Sequence, residues 1–219
     1  MFYQNIKGLA TGNGTAKWEE AINSMNKRKV SVFGFTETNI DWNNHKLTAR
    51  LKAKLRRHCK HANFSTSTST AKLRTDYKPV GTATIAIKQW AGRVTGSIHD
   101  KSGQGRWSGL QLRGNNSDII IITGYRVSQN AIEQVGAKTA YAQEWSIARQ
   151  HGINNAEPRS QFISDLIKEI KKWQDERKEI ILMLDANEQA GTEQEGLGKL
   201  TTSCNLTDIH AMKTEQRPR

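Results

Sequence analysis

Apolar positions along the chain follow two kinds of pattern, longer segments with a helical repeat and short continuous runs. The helical repeat occurs in residues 17–28, in residues 46–61 and in a long segment that begins at Pro158. In each segment apolar residues recur three or four positions apart, which is typical of a helix packed on a core by one face. Proline is favoured in the first helical turn, so Pro158 is a suitable start for the third helix.

The short apolar runs predict β-strands, separated by Gly and Asn turn signals. The predicted strands are residues 30–36, 82–88, 94–98, 109–112, 119–125 and 180–184. The polar tract at residues 65–70 is consistent with either a loop or a threonine-rich edge strand. Helices precede and follow the strands, and neither an internal repeat nor a linker interrupts them. The sequence therefore predicts one α/β (α+β) layered domain over residues 1–219.

Composition narrows the class of protein. The chain carries 33 Lys and Arg against 21 Asp and Glu, a net charge of +12. No stretch approaches the roughly 20 apolar residues of a membrane span, and the N-terminus lacks the layout of a secretory signal. The two cysteines cannot form a disulfide framework. We therefore expect an intracellular protein, nuclear or cytoplasmic, without a membrane partner.

The positive charge is concentrated in one segment. Residues 46–78 contain ten Lys and Arg and a single acid, Asp76. Such a segment attracts polyanions and releases counterions from a nucleic-acid backbone, which makes Lys52, Arg56 and Arg57 candidate nucleic-acid contacts. Leucines at every fourth position of the same segment fit a surface helix whose basic side is merely solvated. Charge alone leaves both interpretations open.

Polar side chains follow several of the predicted strands at the point where each strand ends. Glu37 and Asp185 each come directly after a buried run, Tyr125 ends another, and Asn5 ends the short N-terminal run. Strand ends are rigid supports that collect ligands, and carboxylate and amide oxygens suit Mg²⁺. A single acid after a strand is usually only the start of a solvated turn. Four such residues at four strand ends together favour a metal-binding or catalytic site over solvated turns.

The residues around these positions resemble a known family. The motifs Gln-Asn-Ile-Lys-Gly-Leu (residues 4–9), Thr-Glu-Thr-Asn (36–39), Gly-Tyr-Arg (124–126) and Leu-Asp-Ala-Asn-Glu (184–188) occur in the order of the endonuclease/exonuclease/phosphatase superfamily. The sequence looks most like the endonuclease-like domains that accompany reverse transcriptases in non-long-terminal-repeat retroelements. Shorter blocks at residues 77–83, 105–108 and 157–159 agree with this resemblance.

The resemblance implies a fold and a chemistry. The fold is a four-layer sandwich of two packed mixed β-sheets flanked by helices. The implied activity is hydrolysis of a phosphodiester or phosphomonoester with Mg²⁺, or alternatively Mn²⁺, as cofactor. The resemblance to endonuclease-like domains favours DNA as the substrate. By analogy Glu37 and Asn5 bind the metal, while Asp185 orients or deprotonates the attacking water. Asn187 holds the phosphate or Asp185, and Tyr125 donates to a phosphate oxygen.

The sequence also departs from the family. The family site is completed by a late Asp and a terminal Asp-His pair, and this chain contains no Asp-His dipeptide. The downstream His210 stands in a segment that resembles one preceding those motifs. We therefore expect a monomeric family domain that is incomplete at the C-terminus and weakly active or inactive. The alternative is a non-catalytic nucleic-acid-binding remnant that uses the basic segment 46–78; a small-molecule phosphatase fits this segment poorly.

Overall fold

The computed structural model describes residues 1–9, 16–71, 78–128, 136, 139–188 and 193–209. The strands in this part of the chain are β1 (Phe2–Asn5), β2 (Val32–Thr36), β3 (Ala62–Ser67), β4 (Thr82–Ile87), β5 (Val94–His99), β6 (Trp107–Leu112), β7 (Ile119–Tyr125) and β8 (Glu179–Asp185). The helices are α1 (Ala16–Lys27), α2 (His45–His58), α3 (Ala140–Gln150), α4 (Pro158–Asp175) and α5 (Leu197–Cys204), and a 3₁₀ helix spans Lys88–Arg93.

The strands form two four-stranded mixed sheets. The first sheet has the order β1-β2-β4-β3 and the second has the order β5-β6-β7-β8. Within each sheet one pair is parallel, β1 with β2 and β7 with β8, and the other pairs are antiparallel. The parallel pairs matter for function because they bring the carboxyl ends of four strands to one end of the molecule.

The elements stack in four layers. The outer face of the first sheet packs against α1 and α2 through a buried cluster that includes Trp18, Phe33, Phe35 and Leu51. The outer face of the second sheet packs in the same way against α4 and α5, with Phe162 at its centre. The four-layer sandwich of two mixed sheets flanked by helices is therefore confirmed.

Hydrogen bonds between polar side chains join the two sheets. Thr84 Oγ1 donates to Thr123 Oγ1 at 2.8 Å and also contacts the carbonyl oxygen of Ser108 at 2.9 Å. Ser65 Oγ donates to the carbonyl oxygen of Ile98 at 2.6 Å. Beside this polar seam the sheets approach so closely that a Cβ on Gly34 would collide with Thr123 Oγ1. The seam fixes the position of one sheet on the other, because buried hydroxyl groups must keep their partners.

The predicted helices and strands are present, with shifted ends. The helix expected over residues 46–61 ends at His58, because Cys59 turns to an extended backbone and its N–H bonds back to Leu55. The tract 65–70 divides, since Ser67 ends the edge strand β3 and the following residues lie outside it. Helices α3 and α5 were not predicted. No helix among the described residues is long and apolar enough to cross a bilayer.

A buried ion cluster anchors the loop between β5 and β6. Arg106 Nε lies 2.8 Å from Asp100 Oδ2, and both side chains are only 1% exposed. Arg106 also lies 3.0 Å from Asp165 on α4 and stacks over the Trp107 ring at 4.5 Å. A buried charge is tolerated only with such partners.

Arg106→Met should destabilise the fold by about 3–5 kcal/mol, because it leaves the buried Asp100 carboxylate without its cation. Urea denaturation measures this loss, and Lys101→Met, at an exposed neighbouring position, is the matched control with an expected change below about 0.5 kcal/mol. Equal stability of the two variants would show that the Arg106 pair contributes nothing.

The effect of this variant should depend on pH. Burial by itself raises the pKa of Asp100, but the charge of Arg106 and hydrogen bonds from Arg106 and Ser102 lower that pKa overall below its ordinary 3.8. The ionised carboxylate therefore contributes stability above about pH 4, and this contribution is lost as the pH falls through the folded-state pKa. We expect the stability difference between wild type and Arg106→Met to shrink below pH 4 in the same denaturation experiment.

Candidate active site

Four strand ends meet at one end of the sandwich. In the first sheet Asn5 pairs with Thr36 at the ends of β1 and β2, and Glu37 follows directly. In the second sheet Tyr125 pairs with Asp185 at the ends of β7 and β8. Because both parallel pairs run towards the same end, the side chains of the two sheets face one another there.

The amide of Asn5 connects the two sheets at this end. Its Nδ2 donates to Glu37 Oε1 at 2.9 Å and to Asp185 Oδ2 at 2.8 Å. Its Oδ1 accepts from the backbone N–H of Lys7 at 3.1 Å, which fixes the orientation of the amide. The carboxylates of Glu37 and Asp185, which belong to different sheets, thus both accept a hydrogen bond from the same nitrogen atom.

Two tyrosines border the carboxylates. Burial, followed by the negative charges of Asp185 and Glu37, raises the pKa of Tyr3, whose hydroxyl group also contacts Thr36 Oγ1 at 2.9 Å. Burial and then the charge and hydrogen bond of Glu37 raise the pKa of Tyr125. Both hydroxyl groups therefore keep their protons near neutral pH and can donate to an anion.

Asn187 joins the ends of β7 and β8. Its Nδ2 donates to the carbonyl oxygen of Arg126 at 2.7 Å, and its backbone N–H donates to Asp185 Oδ1 at 3.3 Å. Its φ of 46° lies in the left-handed region, which asparagine adopts more readily than most residues. Asp185 is thus oriented through both oxygens, by Asn5 and by Asn187.

Next to the site, Arg126 and Arg159 form a buried network of ion pairs with Glu188 and Glu193. Arg126 Nη1 lies 2.6 Å from Glu188 Oε2, and Arg126 Nη2 lies 2.7 Å from Glu193 Oε2. Arg159 also pairs with Glu193 and donates to the carbonyl oxygen of Asn187 at 3.2 Å. These arginines are occupied by structural partners, so they hold the strand ends in place and do not offer free charge to a ligand.

The two central carboxylates have no such compensation. Among the ion pairs of the described residues, none involves Glu37 or Asp185. The described residues contain no group of three or more His, Cys, Asp or Glu side chains arranged for a metal. A pair of carboxylates nevertheless fits Mg²⁺, which takes one or two protein carboxylates and completes its shell with water and phosphate.

A cleft opens beside the carboxylate of Glu37. It has a volume of about 400 Å³ and is lined by Glu37, Tyr125, Asn39, Pro79, Val80, Val127, Ser128, Thr139, Ala140 and Tyr141. Val80, Tyr125, Val127 and Tyr141 form its apolar floor. The cleft therefore combines an anionic, donor-bearing wall with a surface on which an apolar group can rest.

The structure brings together Asn5, Glu37, Tyr125, Asp185 and Asn187, the five residues that the sequence placed in a catalytic or metal site. It does not bring Lys52, Arg56 and Arg57 to this cluster, since they lie on the exposed side of α2. Tyr3 was missed, although its place two residues before Asn5 on β1 puts both side chains on one face of the strand. His210 lies outside the described residues.

Several solved structures have a similar fold. One is the human Nocturnin catalytic domain with bound sulfate. The match includes 98% of this chain and 75% of the Nocturnin chain, at 12% identity and a TM-score of 0.59. A second is an AP endonuclease from Archaeoglobus fulgidus. The match includes 97% of this chain and 72% of that enzyme, at 11% identity and a TM-score of 0.60. A third is a Staphylococcus aureus beta toxin mutant with bound magnesium ions. The match includes 94% of this chain and 70% of the toxin, at 13% identity and a TM-score of 0.52.

The chain shares the α/β sandwich of these structures, two mixed sheets flanked by helices, which is consistent with the endonuclease/exonuclease/phosphatase fold. No protein-family model and no curated protein matches the sequence. At identities of 11–13% the likeness to these structures concerns the fold, and the assignment of a chemistry depends on the residues of the site.

Glu37→Gln should raise the free energy of unfolding in the absence of metal by about 0.5–2 kcal/mol, since it removes one of two neighbouring negative charges and keeps an oxygen that accepts from Asn5. Chemical denaturation in EDTA measures the change. Glu20→Gln, at an exposed position of α1, is the control without this gain. A loss of stability in Glu37→Gln would contradict the arrangement of the two carboxylates described above.

Proposed function

We propose that this protein is a divalent-metal-dependent phosphodiesterase that hydrolyses DNA. The observation that carries the proposal is the pair of carboxylates, Glu37 and Asp185, that the Asn5 amide holds together from two sheets without a cationic partner among the described residues. Such a pair needs a cation, and a cation beside a hydroxyl donor and an open cleft is suited to a phosphate ester.

Each residue of the cluster has a distinct task in this reaction. Glu37 holds the metal, which when bound offsets the charge that develops on the phosphoryl oxygens. Asp185 orients or deprotonates the attacking water, since both of its oxygens are already fixed by neighbours. Tyr125, protonated at neutral pH, donates to a phosphate oxygen. Asn187 keeps Asp185 aligned or contacts the phosphate.

Asn5 acts in two ways. With its nitrogen towards both carboxylates it aligns them for the metal. Coordination through Oδ1, as the resemblance implies, requires the amide to turn over and to release the N–H of Lys7. We therefore assign Asn5 a positioning role, and its Oδ1 would supply a ligand if a cation were bound.

Three features support DNA as the substrate and Mg²⁺ as the cofactor. Solved structures with this fold include an AP endonuclease and a protein with bound magnesium ions. The exposed side of α2 carries basic residues suited to a polyanion. The sequence resembles the endonuclease-like domains of non-long-terminal-repeat retroelements. Because the Asp-His pair of that family is absent from the sequence, we expect slow turnover.

Asp185→Asn should slow Mg²⁺-dependent nicking of supercoiled plasmid by about 10²–10⁴-fold, because it removes the group that takes the proton from water. Gel separation of nicked and supercoiled plasmid measures the rate, with EDTA as the metal-free blank. Glu20→Gln is the matched control and should nick at the wild-type rate. Nicking that persists in EDTA or in Asp185→Asn would exclude this mechanism.

Mg²⁺ should stabilise the wild-type protein and not the Glu37→Gln variant. At a concentration ten times the dissociation constant, binding to the folded state alone adds about 1.4 kcal/mol to the free energy of unfolding. Thermal melting across a Mg²⁺ series measures the shift, and Glu20→Gln should follow the wild type. An equal shift in Glu37→Gln would place the metal elsewhere.

The alternative is a nucleic-acid-binding protein without hydrolysis that uses the basic segment 46–78. The separation of Lys52, Arg56 and Arg57 from the carboxylate cluster favours it. It predicts that DNA binding is unaffected in Asp185→Asn and that wild-type protein does not nick plasmid in Mg²⁺. The nicking assay therefore separates the two functions.

A further inference from the structure

A basic groove lies at the end of the sandwich opposite the carboxylate cluster. It has a volume of about 690 Å³ and is lined by Arg56, Lys60, His61, Ala62, Asn63, Lys88, Gln89, Ala91 and Gly92. These residues come from the C-terminal end of α2, the start of β3 and the 3₁₀ helix after β4. We call this surface the basic groove.

Hydrogen bonds between its segments hold the groove open in one shape. Lys88 N donates to the carbonyl oxygen of His61 at 3.0 Å. Asn63 Nδ2 donates to the carbonyl oxygen of Ala91 at 2.7 Å, which ties the 3₁₀ helix to β3. The walls are therefore fixed by the fold and do not depend on a ligand.

The cations of the groove are exposed and face few acids. Arg56, Lys60 and Lys88 are exposed, and none of them belongs to an ion pair among the described residues. On the neighbouring helices Glu19 is already paired with Lys54. Positive charges thus face one another across a concave surface, and an anion between them would relieve their repulsion.

More cations extend this surface beyond the groove. Lys27 ends α1, and Arg28 and Lys29 follow it directly. This segment lies beside the C-terminal end of α2, where Cys59 Sγ is 3.6 Å from Asn26 Oδ1. Arg93 ends the 3₁₀ helix, with its guanidinium 5.7 Å from the centre of the Trp90 ring. A surface of this extent suits a chain of phosphates better than a single one.

Helix ends explain only part of this charge. Cations in a last helical turn complement the helix dipole, which accounts for Lys27, Arg56 and Arg57. Lys60 and Lys88 lie outside the α-helices and have no such role. Lys88 also has a φ of 56°, a left-handed conformation that is uncommon for a residue other than glycine and costs free energy.

The groove is too far from the carboxylates to bind the same phosphates. The six residues of β3 separate the two ends by about 20 Å at roughly 3.3 Å per residue. This distance corresponds to about six base-pair steps of duplex DNA at 3.4 Å per step.

We propose that the basic groove is a second DNA-binding surface, which contacts the phosphate backbone of a duplex independently of the candidate active site. Arg56, Lys60 and Lys88 make the central phosphate contacts, and the cations at the end of α1 and at Arg93 extend them. The proposal goes beyond the phosphodiesterase function and does not require it, because binding at this surface involves neither the carboxylates nor a metal.

The test compares two variants that each lose three positive charges. The groove variant is Arg56→Gln, Lys60→Gln and Lys88→Asn, with asparagine chosen at position 88 because it tolerates a left-handed backbone. The matched control is Lys168→Gln, Lys171→Gln and Lys172→Gln on the exposed side of α4. Fluorescence anisotropy of a short labelled duplex in EDTA measures the affinity over a series of salt concentrations.

The groove variant should bind at least about tenfold more weakly at low salt, and its plot of log affinity against log salt should be shallower by two to three, since each lost phosphate contact removes about 0.9 from the slope. The control should keep the wild-type slope. Equal losses in both variants, or no loss in the groove variant, would overturn the proposal. The single Lys88→Asn variant should lose about one phosphate contact. Its melting temperature, compared with that of the wild type, shows whether the variant is folded, so that weaker binding is not mistaken for unfolding.

Hydrolysis separates this proposal from the phosphodiesterase function. Cleavage of bis(p-nitrophenyl) phosphate, a diester too small to reach the groove, should be unchanged in the groove variant. Asp185→Asn should lose that cleavage and keep the salt slope. A groove variant that loses cleavage of the small diester while its fold is intact would contradict the independence of the two surfaces.

Discussion

The hydrogen-bonded seam between the two sheets is the constraint on which the candidate site depends. Thr84 and Thr123 link the inner faces of the sheets, and Gly34 allows them to approach. Glu37 belongs to one sheet and Asp185 to the other, so their distance is set by how the sheets lie on each other. A slip of one sheet past the other by one residue would displace Asp185 from Asn5 by about 3.3 Å and break the hydrogen bond between them.

The molecule has opposite charges at its two ends. The carboxylates of Glu37 and Asp185 stand uncompensated at one end, while Arg56, Lys60 and Lys88 stand uncompensated at the other among the described residues. Neither charge is required by the packing of the four layers, which apolar clusters on both outer sheet faces provide. Charged side chains that are not paired within the fold are available to bind ligands. The carboxylate end would bind cations, and the end with Arg56, Lys60 and Lys88 would bind anions.

The sequence predicted what short-range patterns encode. The apolar repeat of residues 17–28 predicts a helix, and α1 buries Trp18 and Ile22 on one face. The apolar runs that end before Glu37 and Asp185 likewise predict their places at strand ends. Helix α3 escaped detection because its buried face includes Gln143 and Glu144, which break the apolar repeat.

Long-range contacts could not be predicted in this way. Arg126 looks in sequence like any solvated cation, and only the fold brings it to Glu188, which is 62 residues away. The turn at Cys59 likewise follows from the entry of the chain into β3. The sequence around Arg126 therefore carries no local signal of this structural role.

The contact between Asn5 and Asp185 spans 180 residues, and this separation has a consequence for the order of folding. During synthesis at about 5–20 residues per second, roughly 9–36 s pass between the appearance of the two residues. Until β8 is synthesised, β7 has no parallel neighbour and the carboxylate of Glu37 has no counterpart. The nascent protein can therefore form its first sheet early, and it acquires the complete pair of carboxylates only when β8 joins the second sheet.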